Sequence, residues 1–154
     1  MNKSFFEQIQ DAADYLNLDL NAQEMAQLAV EHEYSEENIR IVAEMFTYLQ
    51  QKKKENIVST LLRLSRLPLK EPKTFENFDF GQLHGKQTDA LRNLPSLSTL
   101  YAHKNLAFIG PQGVGKTHLA MAYGRKCCQN GLKAYFLKAT ELNQRLTDAR
   151  KYGR

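Results

Sequence analysis

The stretch Gly110-Pro111-Gln112-Gly113-Val114-Gly115-Lys116-Thr117 decides the fold of the chain around it. It matches the phosphate-binding loop (P-loop) pattern G-x-x-x-x-G-K-[ST] at every fixed position. The preceding residues 105–109 predict a short buried strand, and the following residues 118–130 predict a helix. A strand, a glycine-rich turn and a helix in this order provide the context in which the pattern forms a phosphate site.

The residue types in this loop explain the expected chemistry. Gly110, Gly113 and Gly115 are expected to take positive φ, so that the backbone curls around an anion with its N–H groups pointing inward. The positive end of the next helix favours the same ligand. Lys116 would reach the β- and γ-phosphates of a nucleotide, and the Thr117 hydroxyl would bind Mg²⁺. The sequence therefore favours nucleotide binding over a turn that merely joins a strand to a helix.

Composition limits the possible classes of protein. Residues 1–49 hold two basic against ten acidic residues, whereas residues 50–154 hold 19 basic against seven acidic ones. The C-terminal two-thirds is therefore the part expected to contact DNA, although a phosphate site also favours positive surroundings. No apolar run could span a membrane and no secretory signal is evident, so we expect a soluble, cytoplasmic protein. The adjacent Cys127 and Cys128 predict free thiols in a reducing compartment, and the scattered histidines argue against a metal site.

Residues 1–67 predict a helical N-terminal domain. Helix starts are indicated at three places: Ser4 with Glu7, Asn21 with Glu24, and Ser35. The apolar stripe of the third helix is interrupted at Lys52-Lys53-Lys54 and then resumes in a shifted phase, which predicts either a bend or two successive helices. The three lysines could contact DNA, but on their own they favour a solvated helix face.

Residues 68–85 predict a linker that carries an aromatic segment. Two prolines, Pro68 and Pro72, favour extended chain, and Phe75, Phe78 and Phe80 follow. The spacing favours aromatic anchors that pin the linker to a core. The alternative is a pocket for a flat ring such as adenine.

Residues 86–154 predict an α/β arrangement around the loop. Two short helices, 86–94 and 96–103, precede the first strand. A second strand over 133–137 and a last helix over 140–152 follow the loop helix, which is the order expected of a parallel sheet with crossover helices. An ATPase of this type also needs an acidic residue at the end of another strand. Glu141 and Asp148 are the only acids after the loop, and both fall in the last helix, so we assign no catalytic residue.

The segment from about residue 61 to 154 closely resembles the IstB-like ATP-binding proteins. These are the helper ATPases of insertion-sequence transposons, and they are related to the helicase loader DnaC within the AAA+ ATPases. The resemblance is carried by five stretches of the chain: 66–68 (RLP), 73–80 (KTFENFDF), 105–120 (NLAFIGPQGVGKTHLA), 134–136 (AYF) and 149–154 (ARKYGR). The P-loop pattern occurs in many protein families, whereas KTFENFDF ahead of it and THLA at its end are much more specific to this family.

The resemblance implies a specific architecture and a set of ligands. It implies an α-helical N-terminal domain followed by the first part of a P-loop AAA+ parallel-sheet domain over 86–154, with ATP and Mg²⁺ as cofactors. Thr117 would be the metal ligand. The implied nucleotide-binding residues are Gly110, Pro111, Gln112, Gly113, Val114, Gly115, Lys116, Thr117 and His118. The Walker B acids, the sensor residue and the arginine finger of the family have no counterparts, which predicts a truncated chain that binds ATP without hydrolysing it.

Three functions remain open from the sequence. The first is a helper protein for DNA transposition that binds DNA and a transposase, and whose full-length relatives are homo-oligomers. The second is a DnaC-like helicase loader with a helicase partner. The third is a non-catalytic remnant that acts only as an interaction module.

Overall fold

The computed structural model describes residues 3–153 and divides the chain inside its longest helix. We name the two parts the N-terminal unit (Met1–Ile57) and the P-loop unit (Val58–Arg154). Sequence analysis places the domain boundary ten residues later, after residue 67. The α-helices are α1 (Phe5–Leu16), α2 (Ala22–Glu31), α3 (Glu36–Leu64), α4 (Thr88–Arg92), α5 (Ser98–Tyr101), α6 (Lys116–Gln129) and α7 (Ala139–Tyr152). Short 3-10 turns occur at Phe80–Gln82 and Leu94–Ser96.

The helix starts of the N-terminal unit follow their capping residues. The Ser4 side chain accepts from the Glu7 N–H at 3.2 Å, and the Glu7 carboxylate accepts from the Ser4 N–H at 2.7 Å. Asn21 and Glu24 form the same reciprocal pair at the start of α2. These capping boxes satisfy N–H groups that have no partner within the helix. These two predicted starts are confirmed, and so is the third, because α3 begins at Glu36 and the Ser35 hydroxyl accepts from the Asn38 N–H at 3.2 Å.

Helix α3 passes through the lysine run without interruption. It has 29 residues and therefore a length of about 43 Å. Lys53 donates a hydrogen bond to the Tyr15 carbonyl at 2.8 Å, and the Lys54 ammonium lies 5.1 Å from the centre of the Tyr15 ring. Lys52 pairs with Glu55 at 3.2 Å. Because α3 is one continuous helix, the alternative of two successive helices is wrong, and the alternative of a bend stays a prediction.

The core of the P-loop unit forms between α6 and the aromatic segment. Phe75 is buried, as are Leu119 and Ala122 on α6. Several half-buried side chains pack against this core: Phe78, Phe80, Leu91, Phe108 and Tyr123. Burial of a side chain such as Phe75 contributes about 1.5–3 kcal/mol. The core attaches the aromatic segment to the helix that follows the P-loop.

A second contact joins the end of α3 to α6. Leu67 is buried, and the Arg125 guanidinium, which is itself buried, donates to the Pro68 carbonyl. A Cβ at Gly124 would lie 3.5 Å from the Leu67 side chain, which is an ordinary van der Waals contact, so this position faces Leu67 and would also accept alanine. Residues 67–68 are thus packed against α6 and are not part of a free linker.

The predicted strands are extended but unpaired. Neither 105–109 nor 133–137 is a β-strand, and residues 3–153 contain none. A strand is defined by a ladder of hydrogen bonds to a neighbouring strand. The Phe136 N–H instead donates to the carbonyl of Ser65, the residue that follows α3, at 2.7 Å. Ile109 is 94% exposed. The parallel sheet expected from the sequence is therefore not confirmed, because its two segments do not pair with each other.

Candidate nucleotide site

The P-loop takes its shape from two glycines. Gly113 and Gly115 have φ of +86° and +83°, in the left-handed region that side chains disfavour. Gly110 has no such angle, and a Cβ there would meet only the Val114 side chain at 3.6 Å. The expectation of a positive φ at Gly110 is therefore wrong, and the left-handed residues of the loop are Gly113 and Gly115.

The loop presents a row of unpaired N–H groups. Within residues 3–153, the N–H groups of 112–117 donate to no protein acceptor, and the first that does is Leu119, which reaches the Gly115 carbonyl at 3.0 Å. Helix α6 begins at Lys116 directly behind them, so its positive dipole end adds to the row. Unpaired donors at a helix start, next to two positive-φ glycines, form a cradle that fits the oxygens of a phosphate.

Lys116 and Thr117 lie in the first turn of α6. The Lys116 ammonium folds back over the loop and donates to the Pro111 carbonyl, which holds a positive charge beside the N–H row. Thr117 is exposed. Its hydroxyl is a hard oxygen donor of the kind that Mg²⁺ prefers. The two residues thus have the chemistry, a positive charge and a hard oxygen, that a magnesium–phosphate group would need.

His118 contacts the aromatic segment. Its Nε2 lies 2.8 Å from the Thr74 carbonyl oxygen and 2.9 Å from Asn77 Oδ1. The Asn77 amide is oriented by its donation to the Pro72 carbonyl at 2.8 Å, so its oxygen is the atom that faces the imidazole. His118 must therefore carry a hydrogen on Nε2. Sequence reasoning did not find this link, because Thr74 and His118 are 44 residues apart.

Phe78 connects the aromatic segment with the loop. Its ring packs edge-on against Phe80 and His118, with centroid distances of 4.9 and 5.1 Å. A Cβ at Gly115 would lie 2.5 Å from Phe78 Cε2, so the ring would have to shift to make room for it. Glycine is therefore favoured at 115 both by its φ of +83° and by the ring beside it. Phe75 acts as an anchor in the core, whereas Phe78 lies at the loop itself.

A cleft of about 690 Å³ opens beside the loop. Residues 110–116, with the exception of Gln112, line the cleft together with residues 107–109. Further lining side chains come from residues 78–91: Phe78, Asp79, Gln82, Leu83, His84, Gln87 and Leu91. Its volume lies within the usual range of small-molecule sites, about 300–1,000 Å³. The apolar side chains Phe78, Leu83 and Leu91 line it together with the polar Gln82 and Gln87. Sequence reasoning did not single out residues 82–91, which carry no motif.

The acids that follow the loop have other partners. Glu141 pairs with both Arg66 and Arg145, and the Arg66 hydrogen bond is the main cause that lowers the pKa of this carboxyl. Asp148 accepts from Gln144 at 3.1 Å. Neither acid lines the cleft. The described part of the chain thus brings the phosphate-holding residues together and brings no carboxylate to them from α7.

The remaining reactive side chains form no second site. Cys127 and Cys128 are buried free thiols, and burial raises the pKa of the Cys127 thiol. Among residues 3–153, no group of His, Cys, Asp and Glu could hold a metal ion. In the same part of the chain, no helix combines the length and the apolar character needed to cross a bilayer.

Together, the cradle, the lysine and the cleft define a P-loop nucleotide-binding unit. The family described as "IstB-like ATP binding protein" matches residues 13–154. The chain belongs to this family, as the resemblance noted above implies.

Proteins of bacterial insertion sequences are similar to this chain. One from Geobacillus stearothermophilus, named as the ATP-binding protein of IS5376, is 33% identical over 96% of the chain. One from Bacillus thuringiensis, named for IS232, is 26% identical over 96% of the chain. The chain spans 59% of the length of each of these two relatives. A third, named for IS21 of Pseudomonas aeruginosa, is 37% identical over 60% of the chain and 34% of its own length.

Proposed function

We propose that the chain binds ATP with Mg²⁺ at the P-loop. The observation that carries the proposal is the row of unpaired N–H groups at 112–117 in front of α6. In this arrangement the row and the helix dipole hold the α- and β-phosphates, Lys116 neutralises the β- and γ-phosphates, and Thr117 binds the metal. Residues Gly110 to Thr117 make up the phosphate site, and His118 contributes by positioning residues 74–78.

The cleft supplies a place for the base. A nucleotide whose phosphates occupy the cradle can extend towards Phe78, Leu83 and Leu91, which provide apolar surface for a flat ring. The P-loop itself does not distinguish adenine from guanine. The choice of ATP follows the family description. With the base in this position, the aromatic segment agrees with both interpretations of its sequence. Phe75 is an anchor in the core, and Phe78 borders the pocket for a flat ring.

The proposal is tested by titrating the protein with a fluorescent ATP analogue in the presence and absence of Mg²⁺. Lys116→Ala is expected to weaken binding at least about tenfold, because a charge-assisted phosphate contact is lost. Lys104→Ala is the matched control, since Lys104 is exposed and lies outside the cleft. Equal affinity of wild type and Lys116→Ala would contradict phosphate binding at the loop. Competition by unlabelled ATP and GTP tests the base.

We further propose that the nucleotide site serves DNA transposition. The names of the relatives connect those proteins with insertion sequences, which favours a transposition helper over a helicase loader. In this proposal the protein binds DNA through basic residues of the P-loop unit and contacts a transposase. Anisotropy titrations with duplexes of unrelated sequence should show similar affinities and a steep salt dependence. Affinity that does not change with salt would contradict this mode of DNA binding.

We also propose that residues 105–109 and 133–137 become strands of a parallel sheet when further strands lie between them. The support is their extended, apolar character and the high exposure of Ile109. The resemblance to the family implies that the strand with the second acid lies between these two. Amide exchange would test this: rapid exchange at 105–109 is expected in the 154-residue chain, and protection there would show that the segment already has a hydrogen-bonded partner.

A further inference from the structure

The short helix α4 contributes two side chains to the cleft beside the P-loop. Leu91 lies within α4 and Gln87 directly precedes it, and both line the cleft. The Leu91 N–H donates to the Gln87 carbonyl at 3.0 Å, so the two residues belong to one helical turn. Residues four apart lie on the same face of a helix. This face therefore offers the cleft an apolar side chain and an amide.

Arg92 is the last residue of α4, and its side chain reaches the aromatic segment. Its Nη2 donates to the Phe80 carbonyl at 3.3 Å, and its guanidinium carbon lies 5.8 Å from the centre of the Phe80 ring. Among residues 3–153, Arg92 has no carboxylate partner. The contacts with Phe80 are therefore the polar contacts that orient this guanidinium.

Phe80 connects Arg92 with another lining residue of the cleft. Its ring packs edge-on against Phe78, with 4.9 Å between the centroids, and Phe78 lines the cleft as Leu91 does. Both Phe78 and Leu91 are only half-buried against the core, so packing alone does not fully fix their spacing. The chain between Phe80 and α4 contains Gly85 with φ of +132°, a flexible residue type that does not fix the spacing either. Arg92 thus joins the two elements that carry apolar surface for a flat ring.

We propose that Arg92 is a positioning residue for the base of the bound nucleotide. It holds α4, with Leu91 and Gln87, against the aromatic segment, so that the apolar surface and the amide keep the shape of one pocket. Arg92 does not itself line the cleft, so it acts through these neighbours. The inference rests on the nucleotide binding proposed above and names a residue that shapes the base-binding part of that site. The phosphate cradle at 110–117 should not depend on Arg92.

Competition titrations separate the contribution of the base from that of the phosphates. A fluorescent ATP analogue is displaced either by ATP or by inorganic triphosphate, both with Mg²⁺. Arg92→Met keeps an unbranched apolar side chain but removes the charge and the donor. It should weaken ATP binding at least about threefold, as expected for the loss of an exposed cation–π contact and its hydrogen bond, and leave triphosphate binding unchanged. Arg92→Lys restores a cation and a donor, so it should bind ATP within about twofold of the parent.

The two ligands and a control variant make the outcomes distinguishable. Arg150→Met is the matched control, since Arg150 is exposed on α7 and lies outside the cleft, and it should leave both affinities unchanged. Arg92 is also exposed, so its variants should keep the circular dichroism of the parent. Equal weakening of ATP and triphosphate by Arg92→Met, no weakening, or no recovery in Arg92→Lys would overturn the role of Arg92 and leave nucleotide binding intact. A parent that binds neither ligand would contradict the proposed function and this inference with it.

Discussion

The ring of Phe78 occupies the space that a Cβ at residue 115 would need, since such an atom would lie 2.5 Å from Phe78 Cε2. The contact ties a residue of the KTFENFDF segment to the last glycine of the P-loop, 37 positions later in the sequence. Gly115 is also the N-cap of α6, with φ of +83°. The position of the aromatic segment and the shape of the phosphate cradle therefore depend on each other.

Alanine substitutions at the two positive-φ glycines of the P-loop should separate the cost of backbone strain from the cost of a steric clash with Phe78. Gly113→Ala meets open space and should cost only the left-handed penalty, about 1–2 kcal/mol of unfolding free energy. Gly115→Ala carries a similar penalty and must also displace Phe78, so the loss should be larger. Urea unfolding measures both. Equal losses would mean that the Phe78 ring moves aside without cost. In that case, adding Phe78→Leu to Gly115→Ala should not recover any of the lost unfolding free energy.

His118 and its neighbour Thr117 should respond differently to alanine. His118→Ala removes the hydrogen bonds to Thr74 and Asn77, so we expect a loss of about 1 kcal/mol and faster amide exchange over residues 74–80. Thr117→Ala removes the metal ligand that we propose, so it should weaken Mg²⁺-dependent nucleotide binding with little change in stability. If His118→Ala leaves exchange of the aromatic segment unchanged, the histidine does not position it.

Lys53 should matter more for stability than the other members of the lysine run. It is half-buried and donates to the Tyr15 carbonyl, whereas Lys52 pairs with Glu55 in solvent. Lys53→Met should lower the thermal midpoint by an amount equivalent to about 1 kcal/mol. Lys52→Met should lower the midpoint clearly less than Lys53→Met does, since exposed ion pairs contribute little to stability. Because these lysines have partners within the protein, replacing them should leave the salt dependence of DNA affinity unchanged. A weaker salt dependence would show that the lysines contact DNA phosphates instead.

The 154-residue polypeptide should bind ATP without turning it over. Glu141 is engaged by Arg66 and Arg145, and Asp148 by Gln144, so neither is available to orient a water at the γ-phosphate. Phosphate release should therefore equal that of the Lys116→Ala variant at the same protein concentration. Magnesium-dependent release above that level would identify a carboxylate that we have not assigned.

The Arg66–Glu141 pair should make a small, pH-dependent contribution to stability. The Arg66 hydrogen bond holds the pKa of Glu141 below its ordinary value. A pKa lowered by folding stabilises the protein above the unfolded-state value, about 4.3, and this stabilisation disappears as the pH falls through the folded-state value. The difference in thermal midpoint between the parent and Glu141→Gln should therefore shrink between about pH 6 and pH 3. A constant difference would mean that the pair makes no net electrostatic contribution.

Local chemistry was sufficient to predict the helix starts and the phosphate loop. Ser4 with Glu7 and Asn21 with Glu24 specify their own caps, because each donor and acceptor lies three residues from its partner. The P-loop pattern likewise places its glycines, lysine and helix start within eight residues. Only the positive φ at Gly110 was wrong, since a pattern records which residue is present and not which torsion it adopts.

The sequence by itself determined that a helical region precedes a P-loop unit with a phosphate cradle, because those features arise from contacts between near neighbours in the chain. Tertiary structure alone decided that Lys53 reaches Tyr15, that His118 holds Thr74 and that Phe78 lies against Gly115, since these partners are tens of residues apart. It also decided that residues 105–109 and 133–137 form no strand ladder with each other. A strand needs a neighbour for its backbone hydrogen bonds, and the apolar character of a segment cannot supply one.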